Sequence, residues 1–129
     1  MRLVIFGGTT EGRVLAEKSA ALKIPVIVSV STEYGAELLK ENAFLTVHQG
    51  NLTEEEMEQL LLSWQAELCM DATHPYAKLV TKNVRKACEK LALPYFRILR
   101  KEEATDAGED RVSVKSVEEA VSFLQETEG

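Results

Sequence analysis

The chain opens with MRLVIFGGTTEGR at residues 1–13, where an apolar run ends in two glycines and a polar stretch follows. Residues 2–6 have the apolar, β-branched composition of a buried strand. Gly7 and Gly8 break that strand, and apolar residues recur at helical spacing over residues 11–23. The opening therefore predicts a strand, a glycine-rich turn and a helix, which together begin many parallel α/β folds.

The rest of the chain repeats this alternation of apolar runs and helical periods. Further strands are expected at residues 24–30, 44–47, 67–72, 95–99 and 111–114, and helices at residues 34–41, 53–65, 77–91 and 116–127. Continuous apolar strands joined by helices indicate a parallel sheet that is covered on both faces. The prediction is an α/β, Rossmann-like doubly wound parallel sheet of five to six strands, in the order 3-2-1-4-5 with room for a sixth. Residues 101–110, KEEATDAGED, are expected to form a solvated loop.

Composition limits the classes of protein that the chain can belong to. Its 129 residues, 45% of them hydrophobic, suit one domain. No apolar run approaches the roughly 20 residues of a membrane span, and no signal-peptide pattern opens the chain, so a cytoplasmic protein is expected. The formal net charge of −6 argues against non-specific nucleic-acid binding. Cys69 and Cys88 have no metal-binding or redox spacing, so reduced thiols and no metal site are expected.

The glycine-rich turn is the first of three segments in which ligand contacts are expected. In an open parallel sheet, ligands bind beyond the carboxyl ends of the strands where strand order reverses, here between the first and fourth strands. Gly7 and Gly8 allow a ligand to approach the backbone closely, and the amides of the helix start favour an anion such as a diphosphate. Thr9 and Thr10 add hydroxyl groups. The spacing G-G-x-x-x-G differs from the usual dinucleotide motif G-x-G-x-x-G, and a tight turn without a ligand is the alternative.

The end of the second strand lacks the acid that usually binds the ribose of NAD. Ser29, Ser31 and Thr32 stand there instead, and Glu33 is the first acid. Small hydroxyl side chains tolerate a 2′-phosphate, for which Arg13 is a candidate partner. Ser31 and Arg13 are therefore candidate cofactor contacts, with a preference for NADPH. The alternative is a strand end that faces solvent.

The third segment is DATHPYA at residues 71–77, which follows the fourth strand. Pro75 restricts His74 to extended backbone and suits the first turn of the next helix. This loop is expected to hold Thr73, His74 and Tyr76 at the lip of the cleft. A histidine there can bind a ligand carboxylate or transfer a proton, whereas a structural hydrogen bond is the alternative.

Cationic side chains follow on the same rim. Arg97 and Arg100 flank the end of the fifth strand, and a guanidinium forms bidentate bonds to carboxylates, so both are candidate anion contacts. The helix at residues 77–91 is expected to turn Leu79 inward. Its cations are interpreted as a solvated helix face in preference to an anion site; they are Lys78, Lys82, Arg85 and Lys86.

Three motifs together resemble the precorrin-6A reductase family of cobalamin biosynthesis, which includes the cobalt-precorrin-6A reductases. They are GGTTEGRVLA at residues 7–16, DATHPYA at 71–77 and YFRILR at 95–100. The resemblance implies an enzyme that uses NADPH or NADH to reduce a carbon–carbon double bond of a tetrapyrrole, the corrin precursor. It also implies two Rossmann-like halves with cofactor and macrocycle between them, of which residues 1–129 would be the amino-terminal half. The face that is exposed where the second half is missing is expected to favour a homodimer.

The resemblance also assigns roles to residues of this chain. It implies that the dinucleotide is held by Gly8, Thr9, Thr10, Glu11 and Gly12. It places Thr73, His74, Pro75 and Tyr76 near the nicotinamide and the macrocycle, and Arg97 and Arg100 near substrate carboxylates. His74 is the expected catalytic proton donor. Residues 101–103, KEE, depart from the proline and tryptophan that the family usually has there.

Two other classes of protein fit the same fold. A non-catalytic regulatory NAD(P)-binding domain is favoured by G-x-G-x-x-G and by an acid at the end of the second strand, and this sequence has neither. Another Rossmann reductase or an epimerase is favoured by a Tyr-x-x-x-Lys pair. The residues four positions after the three tyrosines are Leu38, Val80 and Leu99.

Overall fold

A computed structural model describes residues 1–100 and 113–128 of the chain. The strands are β1 (Leu3–Phe6), β2 (Val26–Val30), β3 (Leu45–Gln49), β4 (Leu68–Asp71), β5 (Tyr95–Ile98) and β6 (Ser113–Lys115). The helices are α1 (Thr10–Ala21), α2 (Glu33–Glu37), α3 (Glu54–Ser63), α4 (Lys78–Lys90) and α5 (Val117–Glu128). The loop predicted at residues 101–110, the departure at 101–103 and the start of the strand predicted at 111–114 lie outside the described residues.

The six strands form one sheet in the order β3-β2-β1-β4-β5-β6, and all neighbouring strands are parallel. The strand order reverses at β1, because Leu3 pairs with Val26 of β2 on one side and with Leu68 of β4 on the other. This topology confirms the predicted doubly wound fold, including its sixth strand. The reversal leaves a crevice between the loops that follow β1 and β4.

The alternation of side chains in β1 divides the core into two layers. Leu3 and Ile5 are fully buried in the layer that contains α1 and α5. Val4 and Phe6 are buried in the other layer, beneath α3 and α4. A strand covered on both faces needs apolar residues at every position, as β1 has. The glycine turn that follows β1 therefore lies at the centre of the carboxyl edge of the sheet.

Side-chain caps fix the starts of most helices. At α3, the Thr53 hydroxyl accepts a hydrogen bond from the Glu56 amide at 3.2 Å, and the Glu56 carboxylate accepts one from the Thr53 amide at 2.9 Å. Ser116 and Glu119 make the corresponding pair at α5, so both capping boxes expected from the sequence are confirmed. At α4, the capping position is Ala77, which offers no side-chain cap.

Two features of residues 1–100 and 113–128 bear on the wider class of protein. None of the described helices is long and apolar enough to cross a bilayer. The same residues contain no group of three or more histidine, cysteine, aspartate or glutamate side chains arranged to hold a metal ion. Cys69 and Cys88 are both unpaired and buried.

Candidate functional site

A cleft at the carboxyl edge of the sheet brings the three predicted segments together. It encloses about 390 Å³. Gly7 and Gly8 line it from the glycine turn, Ser31 from the end of β2, and Thr73 and His74 from the loop after β4. The structure thus confirms that the three segments converge. Which ligand each residue contacts stays a prediction.

Backbone conformation explains Gly8 of the turn, and close packing explains Gly12. Gly8 has a φ of +118°, which side chains disfavour, whereas a Cβ there would meet no atom within 4 Å. A Cβ on Gly12 would lie 3.1 Å from the Ala72 Cβ and 3.2 Å from the Gly7 Cα. The first turn of α1 therefore packs directly against the loop that follows β4. This contact takes the place of the one that the usual motif makes through its third glycine.

The Thr9 hydroxyl joins the glycine turn to the loop after β4. Its Oγ1 accepts a hydrogen bond from the Gly12 amide at 3.1 Å and donates one to the Ala72 carbonyl at 2.6 Å. Thr9 is therefore both the cap of α1 and a link between two of the three converging segments. Because its hydroxyl proton is already used within the protein, Thr9 positions the turn, and its predicted contact with a cofactor stays untested. Thr10 is exposed.

A second cavity, of about 380 Å³, lies on the other side of the glycine turn, between α1 and α2. Gly7 and Gly8 line both cavities, and Arg13, Thr32 and Tyr34 line only this one. The Arg13 guanidinium is partly exposed and lies 3.8 Å from the carboxylate of Glu17, its neighbour one turn along α1. Two cavities that meet at the turn give the sheet edge room for an elongated ligand.

A buried carboxylate organises the loop that carries His74. Asp71, with 0% of its surface exposed, accepts hydrogen bonds at Oδ1 from the Thr73 amide at 3.0 Å and the Thr73 hydroxyl at 2.6 Å. Its Oδ2 accepts one from the Tyr95 hydroxyl at 2.7 Å. Burial, and then the Asp71 charge, raise the pKa of Tyr95, so the phenol keeps its proton and remains a donor. Sequence reasoning missed both Asp71 and Tyr95 as parts of the site.

The two arginines predicted to bind substrate occupy different environments. Arg97 is only 8% exposed, and its guanidinium donates to the Asp71 carboxylate at 3.1 Å, the Asp71 carbonyl at 3.0 Å and the His74 carbonyl at 3.3 Å. Arg100 is exposed, and its Nε lies 3.3 Å from the Glu11 carboxylate. Arg97 therefore holds the histidine loop in place, whereas Arg100 has an accessible side chain. Substrate contact by either residue stays a prediction.

The tip of the loop presents two rings to solvent. His74 is exposed and Tyr76 is 84% exposed, and their ring centroids lie 5.1 Å apart. The His74 Nδ1 accepts a hydrogen bond from the Tyr76 amide at 3.2 Å. In the neutral ring, an accepting Nδ1 places the proton on Nε2. Nε2 is therefore the ring nitrogen of His74 that can donate a hydrogen bond to a ligand in the cleft.

The cleft has an apolar wall that the sequence prediction misplaced. Leu79 was expected inside the core, but it is 70% exposed and lines the cleft with Val80, Leu52 and Met57. The prediction was wrong because the buried face of α4 is set by Val84, Ala87 and Cys88, and Leu79 lies about 140° around the helix from Val84. An accessible leucine beside backbone amides suits a ligand with one flat apolar part.

These features define the class: a Rossmann-like α/β domain with an open crevice at the switch point of its sheet. The chain belongs to the family described as precorrin-6x reductase CbiJ/CobK, whose family model matches residues 2–127. The family resemblance seen in the three sequence motifs is thereby confirmed.

Individual relatives agree with this assignment. The chain is 33% identical over 96 residues to a cobalt-precorrin-6A reductase of Synechocystis sp., covering 74% of this chain and 37% of that protein. It is 30% identical over 126 residues to the cobalt-precorrin-6A reductase of Methanocaldococcus jannaschii, covering 97% and 50%. A solved structure of CobK precorrin-6A reductase matches with a TM-score of 0.67 and 26% identity, covering 78% of this chain and 39% of that one. The chain thus spans half or less of the length of these relatives.

Proposed function

We propose that residues 1–129 form the amino-terminal, dinucleotide-binding half of a reductase that converts precorrin-6A, or its cobalt complex, to the 6B form with NADPH or NADH. The observation that carries this proposal is the single cleft lined by both the glycine turn and the histidine loop. Membership of the CbiJ/CobK family supports it. The substrate class is a tetrapyrrole. A homodimer and a cytoplasmic location stay predictions, the latter supported by two unpaired cysteines.

The residues present fit a nicotinamide dinucleotide. The Gly8 backbone is open, and the cavities on its two sides meet at the turn, so its amides and those of the α1 start would bind the diphosphate. Arg13 in the second cavity would bind a 2′-phosphate. Leu79 would pack against the flat ring in the cleft. The bound cofactor supplies a hydride for a carbon–carbon double bond of the substrate.

The chain's own residues then have positioning and proton-transfer roles. Asp71 and Arg97 hold the backbone of residues 71–74, which fixes the position of His74 at the cleft lip. We assign the proton that must follow the hydride to the doubly protonated ring of His74, which gives up the Nε2 proton and becomes neutral; protonation of Nδ1 in that state replaces the hydrogen bond from the Tyr76 amide. Hydride transfer needs no nucleophile from the protein.

Titration with NADPH and NADH tests the proposal directly. Binding of either cofactor to the chain, followed by dihydronicotinamide fluorescence, is the expected result. The Gly12→Val variant is expected to bind at least tenfold more weakly, because its side chain would displace α1 from Gly7 and Ala72. Ala21→Val, at the exposed far end of the same helix, is the control and should bind as the wild type does. Failure of the wild type to bind either nucleotide contradicts the proposal.

The apolar wall gives a second test with a matched control. Leu79→Ser is expected to weaken dinucleotide binding roughly three- to tenfold, because it removes apolar surface that the bound ring would cover. Leu62 on α3 is 60% exposed but does not line the cleft, so Leu62→Ser should leave the dissociation constant unchanged. Equal dissociation constants for the two variants would show that no ring packs on Leu79.

A further inference from the structure

A groove separate from the cleft runs between α4 and β5, on the side of α4 that faces away from the glycine turn. It encloses about 530 Å³. We call it the basic groove, because five cations and one acid line it: Lys78, Lys82, Arg85, Lys86, Arg97 and Glu89. The chain as a whole has 21 acidic and 15 basic residues. Asp71 compensates the charge of Arg97, so the four cations of α4 against the one acid are what concentrate positive charge in the groove.

The arrangement of these cations is unfavourable for the helix alone. Lys78, Lys82 and Lys86 follow one another at intervals of four residues, so they form one row along α4. Like charges at this spacing destabilise a helix. All three lysines are exposed, and among the residues that the structure describes they form no ion pair. An anion bound along the row would offset the repulsion.

The basic groove begins at the lip of the cleft. Pro75, which is next to His74, lines the groove. The Thr81 hydroxyl on α4 lies 3.1 Å from the Thr73 hydroxyl in the histidine loop, so groove and cleft lie on either side of one loop. A ligand whose flat part lies at the cleft lip can therefore reach the groove with flexible arms that pass over Pro75.

The length of the lysine row indicates the kind of anion. Eight residues separate Lys78 from Lys86, which corresponds to about 12 Å along a helix. A single phosphate or carboxylate can contact only part of such a row. Several carboxylates carried by one rigid ring can contact all of it, and lysines bind such groups as point charges without strict geometry.

We propose that the basic groove binds carboxylate side chains of the macrocyclic substrate. The inference rests on the proposed function for the substrate class, whereas the position of the groove and its charge come from α4 and β5. Lys82 and Lys86 are the principal contacts, because both are exposed and lie on the groove wall. The lysine row then contributes to the affinity for the substrate and to the orientation in which its ring binds, instead of being a solvated surface.

The test uses uroporphyrin I, a flat tetrapyrrole with eight carboxylates, and coproporphyrin I, which has four. The wild-type chain is expected to bind uroporphyrin more tightly than coproporphyrin, and more weakly as salt is added. Lys82→Glu/Lys86→Glu is expected to raise the dissociation constant for uroporphyrin at least tenfold. The control is Lys23→Glu/Lys40→Glu, which changes the net charge equally at the opposite edge of the sheet and should bind as the wild type does.

The outcomes separate this inference from the proposed function. Unchanged uroporphyrin affinity in the Lys82/Lys86 variant, an equal loss in the control, or no binding by the wild type overturns the assignment of the groove. Thermal melting of each variant shows that it is folded. NADPH and NADH titration of the wild type tests the proposed function independently, since the dinucleotide cleft lies on the other side of the histidine loop.

Discussion

Replacing Arg97 with methionine is expected to lower the free energy of unfolding by about 3–5 kcal/mol, because the change leaves a buried carboxylate without its charged partner. Asp71 is fully buried, and Arg97 makes the single charge-compensating contact to it within the described residues. Methionine fills a similar volume, so the loss reports on charge and hydrogen bonding more than on a cavity. The measurement is chemical denaturation of the wild type and the variant.

Arg100→Met is the matched control, since it removes the same charge from a neighbouring arginine. Arg100 is exposed, and its partner Glu11 is only partly buried, so the expected loss is at most about 1 kcal/mol. Equal losses for the two variants would contradict the assignment of Arg97 as the residue that holds the histidine loop. If Arg97 served chiefly as an accessible substrate contact, its replacement would change affinity with little effect on stability.

In a two-domain reductase that contains residues 1–129, replacing His74 with asparagine is expected to slow dihydronicotinamide oxidation with the corrin precursor about 100-fold, which is within the range for loss of a general acid. Asparagine offers an oxygen near the position of Nδ1, so the hydrogen bond from the Tyr76 amide can persist while the group at Nε2 is lost. The dissociation constant for the dinucleotide should remain close to the wild-type value. The measurement is turnover followed by nicotinamide absorbance.

His48 provides the control for this substitution. It is the other histidine of the chain, and its Nδ1 lies 3.1 Å from the Ser29 hydroxyl on the neighbouring strand. His48→Asn should retain turnover, because His48 does not line the cleft. An unaltered rate in His74→Asn would exclude the Nε2 atom as the proton donor.

The fold was predictable because local and global signals agree in this sequence. The strand of residues 3–6 is apolar at every position, which already requires cover on both faces of the sheet. Thr53 and Ser116 each stand three residues before a glutamate, and both capping boxes form. Convergence of the glycine turn and the DATHPYA loop followed from the single reversal in strand order.

The roles of charged and apolar side chains around the cleft were harder to predict, because they depend on distances that the sequence does not contain. Arg97 carries a guanidinium that suits an anion site, yet the register of β4 and β5 places it opposite Asp71. That pairing follows from the parallel alignment of the two strands, which periodicity alone does not specify. Leu79 is apolar and lies in the predicted helix, but it is about 140° around α4 from the buried Val84, so it is exposed on another face of the helix.

The bond from the Thr9 hydroxyl to the Ala72 carbonyl has a consequence for ligand binding in the cleft. It makes the first turn of α1 and the corner that carries His74 move together, and the Gly12–Ala72 contact reinforces this. Tightening of one segment by a bound dinucleotide is thereby transmitted to the other, and by reciprocity the macrocycle would tighten the dinucleotide. The two reactants should therefore bind cooperatively, with each raising the affinity for the other by the same factor.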